Sequence, residues 1–538
     1  MRKKITVIYF IGVAIVGYIL LGSYNFILNK VLFFTDNALI KNVILGLLYI
    51  LIIDLVCIIK IVKNKEIIHK NKTYVLFFSL SFLLCMPYQV IYTTNYFYLS
   101  KWFNLGLFIC ALISLPLITS NIIYFLKEND KDDKQSVRNY WFYIIPLMAI
   151  LITWINNYPG LMSFDSYYQL EQIKSGIYND VHPAIHTIFT GFLLKIYDSP
   201  ATAIVFQIVM LCGCIGYIFS YFNKKGISSS FLLSSVIIWS SLAPIQIYTC
   251  YLWKDILYTV GLLGITIIFI RIVTIIKLSY KELIILGILL TVVALFRHNG
   301  MVVYLISCLS LIVFIVKLKS LNYLMPIIIS FLLILFIKGP FYDQFNVQSN
   351  DNGTKYAILA KSVVSVIAND GNYTQEELVK IEDIMPYDVI KRNYNWSQGH
   401  NLLWNINLDD AQYGFGETLG EKGRELISLF LSLFPKNHLI MIGDIIGSAS
   451  LMWNFDFIRI NFLSVHMVYF APVIIGIILL IGYKDIVGLI PLIPFIFNII
   501  SILISNISYE ARYAYPTIVL SLVCLIYIKL RIKQLSDI

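Results

Sequence analysis

Charge is scarce in this chain. Asp, Glu, Lys and Arg together make up only 13% of its 538 residues, while 59% are hydrophobic and the mean hydropathy is +0.78. So little polar surface cannot cover so much apolar side chain in water, which excludes a soluble globular protein and leaves a polytopic membrane protein. Cysteine does not organise the chain either. Cys57, Cys85, Cys110, Cys212, Cys214, Cys250, Cys308 and Cys524 lie mostly within or at the ends of apolar runs and none falls in the long polar loop after Gly339. There is no disulfide framework and no zinc motif, although Cys212 and Cys214 are close in sequence, so the thiols read as small buried hydrophobes. That polar loop also lacks an internal repeat, a glycine-rich phosphate loop and any known extracellular module.

The net charge of +10 does not point to nucleic acid, because the basic residues stand in short clusters between apolar runs, as at the flanks of membrane spans. The abundance of Ile, Lys, Asn and Tyr suggests an AT-rich genome, hence a low-GC bacterium and its plasma membrane. The first apolar run follows Met1-Arg2-Lys3-Lys4 without a clear cleavage site, and reads as a retained first helix.

With ~20 apolar residues needed per span, the candidate spans are 5–28, 43–62, 73–92, 103–126, 140–157, 201–222, 228–248, 254–276, 282–297, 300–317, 322–338, 464–483, 486–506 and 512–530. The expected fold is therefore an all-α polytopic membrane protein of about fourteen transmembrane helices. It divides into N-terminal spans (1–157), an outer loop with interfacial helices (158–200), central spans (201–338), an extracytoplasmic loop or cap (339–463) and C-terminal spans (464–538). With the N-terminus inside, the cytoplasmic segments hold 23 of the 41 Lys and Arg; of the outer 18, nine lie in the one long loop, where charge has little say in topology. The apolar run Ala184 to Tyr197 is too short for a span and reads as a re-entrant or interfacial helix.

The longest polar interruption in the N-terminal half runs from Tyr158 to His186, as YPGLMSFDSYYQLEQIKSGIYNDVHPAIH. Tyr158-Pro159-Gly160 reads as a turn. Ser166-Tyr167-Tyr168-Gln169 fits a capping box opening a short helix that Gly176 closes, with Leu170, Ile173 and Ile177 on its apolar face and Asp165 just before its start. Asp180-Val181-His182-Pro183 marks a second helix start, with Pro183 at the first position. His182 and His186 stand four apart, a spacing that fits a metal pair, so Asp165, His182 and His186 are candidate ligands of a divalent metal; the alternative is that the histidines hydrogen-bond substrate or hold the loop.

This topology gathers the unusual charges on one side. Asp165, Asp180, His182, His186, Lys254, Asp255, Arg297, His298, Glu510 and Arg512 all fall at outer ends of spans, where ionisable groups tend to line a cavity or polar path. Local ion pairing, Lys254 with Asp255 and Glu510 with Arg512, is the competing explanation. Tyr167, Tyr168, Trp253, Tyr509, Tyr513 and Tyr515 lie beside the charges and fit either a sugar-stacking role or the ordinary aromatic belt of a membrane protein.

A hydrophobic chain with an acidic residue in an outer loop flanked by surface helices, and a late outer basic residue at a span start, resembles the GT-C superfamily of integral-membrane glycosyltransferases. Its members include protein O-mannosyltransferases and lipid A aminoarabinose transferases. The YPGLMSFDS and HPAIH stretches also look like a group of bacterial membrane proteins placed near that superfamily. Many such enzymes carry an acidic pair in the first outer loop, whereas here Asp165 follows the fifth expected span and has Ser166 beside it.

The resemblance implies transfer of a sugar from a polyprenyl-phosphate carrier to an acceptor hydroxyl on the extracytoplasmic face, with inversion at the anomeric carbon. The acceptor would be an envelope glycan, a lipid or a protein. Such a reaction needs a base and cations for the departing phosphate. Asp165 is the candidate base; Lys254, Arg297 and Arg512 are candidate phosphate ligands; Asp180, Asp255 and Glu510 would orient them or meet sugar hydroxyls. Two other readings stay open: an envelope-polysaccharide polymerase or ligase, and a lipid-linked-sugar flippase or transporter, though the latter favours midplane charges and internal symmetry that this chain does not show.

Overall fold

The computed structural model describes residues 125–126, 137–275, 278–348, 356–394, 421–451, 465–505 and 511–536. Among them the structure is helical, with no β-strand and two isolated bridges, Leu161 with Tyr251 and Asn179 with Gln348.

The helix Lys254–Ile275, called α7 below, sits at the centre. From Asp255 to Ile270 every one of its residues is buried, and a helix apolar on all sides must be surrounded on all sides. Around it stand α4 (Pro200–Lys224), α8 (Tyr280–Phe296), α16 (Ile493–Ser505) and α17 (Tyr515–Ser536). Outside these lie α1 (Trp141–Ile155), the bent pair α5 (Ser229–Ser241) and α6 (Ala243–Thr249), α9 (Gly300–Leu318), α10 (Leu324–Phe336) and α15 (Val465–Gly482). Polar side chains bolt α7 to its neighbours: the Tyr258 hydroxyl donates to Asn498 Oδ1 at 3.0 Å, and Asn498 Nδ2 donates to Thr517 Oγ1 at 2.9 Å. Such buried groups must be satisfied in pairs, and these fix the rotation of α16 and α17 about the central helix.

Seven described helical stretches are long and apolar enough to cross a membrane: Pro200–Lys224, Lys254–Ile275, Gly300–Leu318, Leu321–Gln344, Gly423–Ile445, Ile486–Ser505 and Arg512–Leu535; the α5–α6 pair, bent by 58°, makes an eighth if taken as one span. The chain is thus a helical membrane protein, but the expected fourteen spans are not found among the described residues. Three of the fourteen, 5–28, 43–62 and 73–92, lie outside them, as does nearly all of 103–126. Of the others, α1 has 15 residues, shorter than the run 140–157 because a turn ends it at Asn156, while α8 has 17 and covers most of the run 282–297.

The stretch 339–463, expected as a loop or cap with helices from its Thr374–Glu377 capping box and its amphipathic run near Arg424 to Phe434, is largely helical where it is described. The helical run from Leu321 continues to Gln344 across a break at Gly339, and Gly423–Ile445 is itself apolar enough to span. It begins the helix α14 (Gly423–Leu451), which packs with α11 (Ala357–Ala368), α12 (Gln375–Glu382) and α13 (Tyr387–Asn393) around an apolar cluster of their own, including Val363, Ile367, Ile381, Met385, Leu429, Leu433 and Met441. Inside it Lys361 Nζ meets Asp444 Oδ2 at 2.9 Å with both side chains almost wholly buried, and the Tyr394 hydroxyl donates to the other oxygen of Asp444.

Candidate functional site

The polar loop is built onto the start of α7 through backbone. Leu161 N donates to Cys250 O at 2.9 Å and Leu252 N donates to Leu161 O at 3.1 Å. Gln207 Nε2, from α4, donates to Thr249 O and Tyr251 O, and holds the same short segment from the other side. Gly160 makes the approach feasible: its φ is +140°, and a Cβ there would lie 1.9 Å from Ile204 Cδ1.

Helix α2 (Phe164–Ser175) follows, with Ser163 as N-cap and Gly176 closing it in the left-handed conformation. The capping box is Ser163 with Ser166, where Ser163 N donates to Ser166 Oγ at 3.1 Å, rather than Ser166 with Gln169. The reason is tertiary: Ser166 Oγ also donates to Leu252 O at 3.0 Å and Trp253 Nε1 donates to Ser163 Oγ at 2.8 Å, so both serines are pinned to the start of α7. Asp165 consequently lies in the first turn of α2, where its charge suits the helix dipole. The packed face is mixed: Ser166, Gln169 and Gln172 are buried, Ile173 touches the neighbouring Gly191, and Ile177 is exposed. Helix α3 (Ala184–Leu194) is the short apolar helix expected after the loop, with Pro183 as N-cap one position before the first turn.

Three partners converge on the Asp165 carboxylate. Arg512 Nη1 reaches Oδ2 at 2.8 Å, Lys254 Nζ lies 3.8 Å from Oδ2, and His182 Nε2 lies 3.6 Å from Oδ1. Lys254 Nζ is also 2.8 Å from His182 Nδ1. An ammonium can only donate, so Nδ1 accepts and the ring hydrogen sits on Nε2, towards Asp165. These residues come from the first turn of α2, the loop before α3, the first residue of α7 and the 3-10 turn Ala511–Ala514 before α17. Residues as far apart as 165 and 512 meet at one end of the bundle, each keeping between 11% and 20% of its side chain accessible.

Beside this cluster, Asp255 and Arg297 form an ion pair at 2.9 Å, both nearly buried. The Lys254–Asp255 pairing allowed by the sequence does not form; the two turn to different partners on successive faces of α7. Tyr513 joins the groups, with the Arg297 guanidinium 4.9 Å and the Arg512 guanidinium 5.2 Å from its ring centroid. The Arg512 guanidinium also lies 5.4 Å from the centroid of the Trp253 ring. The aromatic faces shield two cations that would otherwise repel each other.

Other expected residues lie apart. Asp180 accepts from Ala184 N at 2.9 Å, which starts α3, and pairs with Lys338 Nζ at 2.6 Å. It serves as a clamp between the loop and the end of the 321–344 helical run, not as a member of the Asp165 cluster. Lys338 was not expected: it reads as the polar end of a span, and nothing in the sequence names its partner 158 positions away. His298 Nε2 lies 3.3 Å from Val181 O and ties the same loop to the turn between α8 and α9. His186 is buried in α3 with its ring edge-on to Phe296. Glu510 lies outside the described residues.

Burial alone would raise the Asp165 carboxyl, but Arg512, Lys254 and His182 outweigh it and hold it at about 2. Burial, and then the Lys254 charge, pull His182 down to about 4 against the opposing pull of Asp165, so the ring is neutral at pH 7. Burial likewise lowers His298. Among the described residues no three His, Cys, Asp or Glu side chains come together as metal ligands. The donor set near Asp165 fits a metal poorly, because the Lys254 ammonium already occupies Nδ1 of His182 and shares Asp165.

No family model, no curated protein and no solved structure matches this chain.

Proposed function

We propose that the chain is a membrane glycosyltransferase that takes a sugar from a polyprenyl-phosphate carrier and passes it to an acceptor hydroxyl at the membrane surface, in the manner of the GT-C superfamily. One observation carries the reading: a carboxylate with Arg512, Lys254 and His182 around it, partly accessible, at one end of a helical membrane bundle. In the reaction the acceptor oxygen forms a bond to the anomeric carbon, the bond from that carbon to the phosphate oxygen breaks, and the phosphate leaves with the electron pair. The acceptor proton goes to Asp165.

A carboxylate held at about 2 is a weak base, and the same geometry supplies the remedy. A phosphate drawn to Arg512 and Lys254 competes with Asp165 for them. As those cations turn to the phosphate, the forces that lower the Asp165 carboxyl fade while its burial persists, and its affinity for a proton rises. Binding of the donor thereby prepares the base. Arg297 is committed to Asp255 and supports Arg512 through Tyr513 instead of gripping phosphate itself.

The test uses the full-length protein in proteoliposomes with a radiolabelled lipid-linked sugar. Asp165→Asn should lower transfer by roughly a hundredfold or more while polyprenyl-phosphate binding, followed separately, persists. Unchanged turnover in that variant removes Asp165 as base; label that crosses the membrane without appearing in product favours a transporter. A product ladder in place of a single addition identifies a polymerase.

A further inference from the structure

At the other end of α7 the bundle holds a cavity of about 480 Å³ between α1, α4 and α7. Arg271, which lines it, is 17 residues beyond Lys254, about 25 Å along the helix axis, so the cavity lies a membrane thickness away from Asp165. Tyr143, Tyr217, Ser220, Lys224, Lys225 and Arg271 face it.

Its charge is one-sided. Against three cations stands, among the described residues, a single neighbouring carboxylate, Glu282, and that one is occupied: Arg271 pairs with it on one oxygen, and Ser279 donates to the other from N and from Oγ, both at 2.8 Å, to cap α8. Among the described residues Lys224 and Lys225 have no carboxylate partner, and Lys225 lies over the Tyr221 ring at 5.6 Å. Two donors in the wall are left over. Ser220 is 93% buried by its 7% exposure, yet its hydroxyl makes no hydrogen bond, not even the usual one to the carbonyl a turn earlier. Arg271 Nε is buried and also without an acceptor, although Nη1 donates to the Tyr217 hydroxyl at 2.5 Å. Buried donors are nearly always satisfied, so orphans in the wall of a cationic cavity mark the place of an absent acceptor.

We infer that this cavity binds a phosphate-bearing anion, with Ser220 Oγ and Arg271 Nε donating to it and Lys224 and Lys225 supplying charge. The phosphate would belong either to an anionic phospholipid headgroup or to a soluble phosphorylated compound; both offer several acceptor oxygens to a fork of donors. The tyrosines suit the interfacial depth of a headgroup.

The full-length protein is titrated in detergent with dioleoylphosphatidylglycerol, with dioleoylphosphatidylcholine and with inorganic phosphate, lipid occupancy being read by native mass spectrometry and phosphate by calorimetry. One molecule of phosphatidylglycerol bound in preference to phosphatidylcholine, and weakened roughly tenfold or more in K224Q/K225Q, supports the site with a lipid source. One equivalent of inorganic phosphate lost in the same variant supports it with a soluble source. Ser220→Ala removes a donor without touching charge or packing, and should weaken the bound probe several-fold with the melting temperature unchanged. The inference is overturned if inorganic phosphate does not bind and the two lipids either fail to bind or bind alike, or if whichever probe binds keeps its wild-type affinity in both variants.

Discussion

At Asp165 one carboxylate faces three partners, and at His182 one ring is caught between a carboxylate and an ammonium. That position has a thermodynamic consequence. His182 is held at about 4 against an ordinary value of 6.5, so between those values the unfolded chain binds a proton that the folded chain refuses. Stability rises with pH across that window: it is complete above pH 6.5 and is lost as pH falls towards 4, by about 3 kcal/mol at most. Melting temperatures of the detergent-solubilised protein should fall accordingly, and His182→Gln should flatten part of the slope, with the lowered His298 supplying some of the rest. An unchanged slope in the variant would show that His182 titrates normally. Asp165, His182, Lys254 and Arg512 were legible in the sequence as charges gathered at span ends; their partners were not. Span ends say which residues share a face of the membrane, but not that Asp180 turns to Lys338 or that Lys254 and Asp255 diverge, because those choices depend on the azimuth of each helix.

Helix α2 shows how an element takes its limits from its neighbours. Sequence pattern predicts its existence, its Gly176 stop and its surface position. The start shifts by a turn because Ser163 and Ser166 are held by Trp253 and Leu252, contacts that a local capping pattern does not contain. The same docking rests on Gly160, whose φ of +140° is one that side chains rarely adopt and where a Cβ would push Ile204 Cδ1 aside and crowd Cys250 O. Gly160→Ala should therefore cost about 2 kcal/mol or more and move the loop off α7. A thermal melt checks the first effect, and a loss of donor binding larger than the drop in stability explains would check the second. A melting temperature like that of the wild type would contradict the packing described.

Across the whole molecule, apolar runs foretold a helical membrane bundle, and six of the seven long apolar helices among the described residues fall on runs read as spans. The seventh, Gly423–Ile445, lies in the stretch read as a loop or cap, where an amphipathic run near Arg424 to Phe434 marks a helix but not a span; its apolarity is spent partly on α11, α12 and α13. Lys361 and Asp444 are buried in that second cluster, and a buried pair is costly to break because the survivor keeps its charge. Lys361→Ala should destabilise this unit by about 3–5 kcal/mol, seen as faster hydrogen exchange in 357–394 and 421–445. Exchange around Asp255 to Ile270 should stay at the wild-type rate, and equal acceleration in both regions would show one cooperative core.

The existence of that second core also bears on how the chain can change over evolutionary time. Because α11 to α14 supply their own packing, substitutions there are constrained by one another and hardly by the corner where Asp165, Lys254 and Arg512 meet. Lineages can rewrite the one while inheriting the other intact, so related chains should diverge fastest between 356 and 445 and agree best where four distant segments share a single carboxylate.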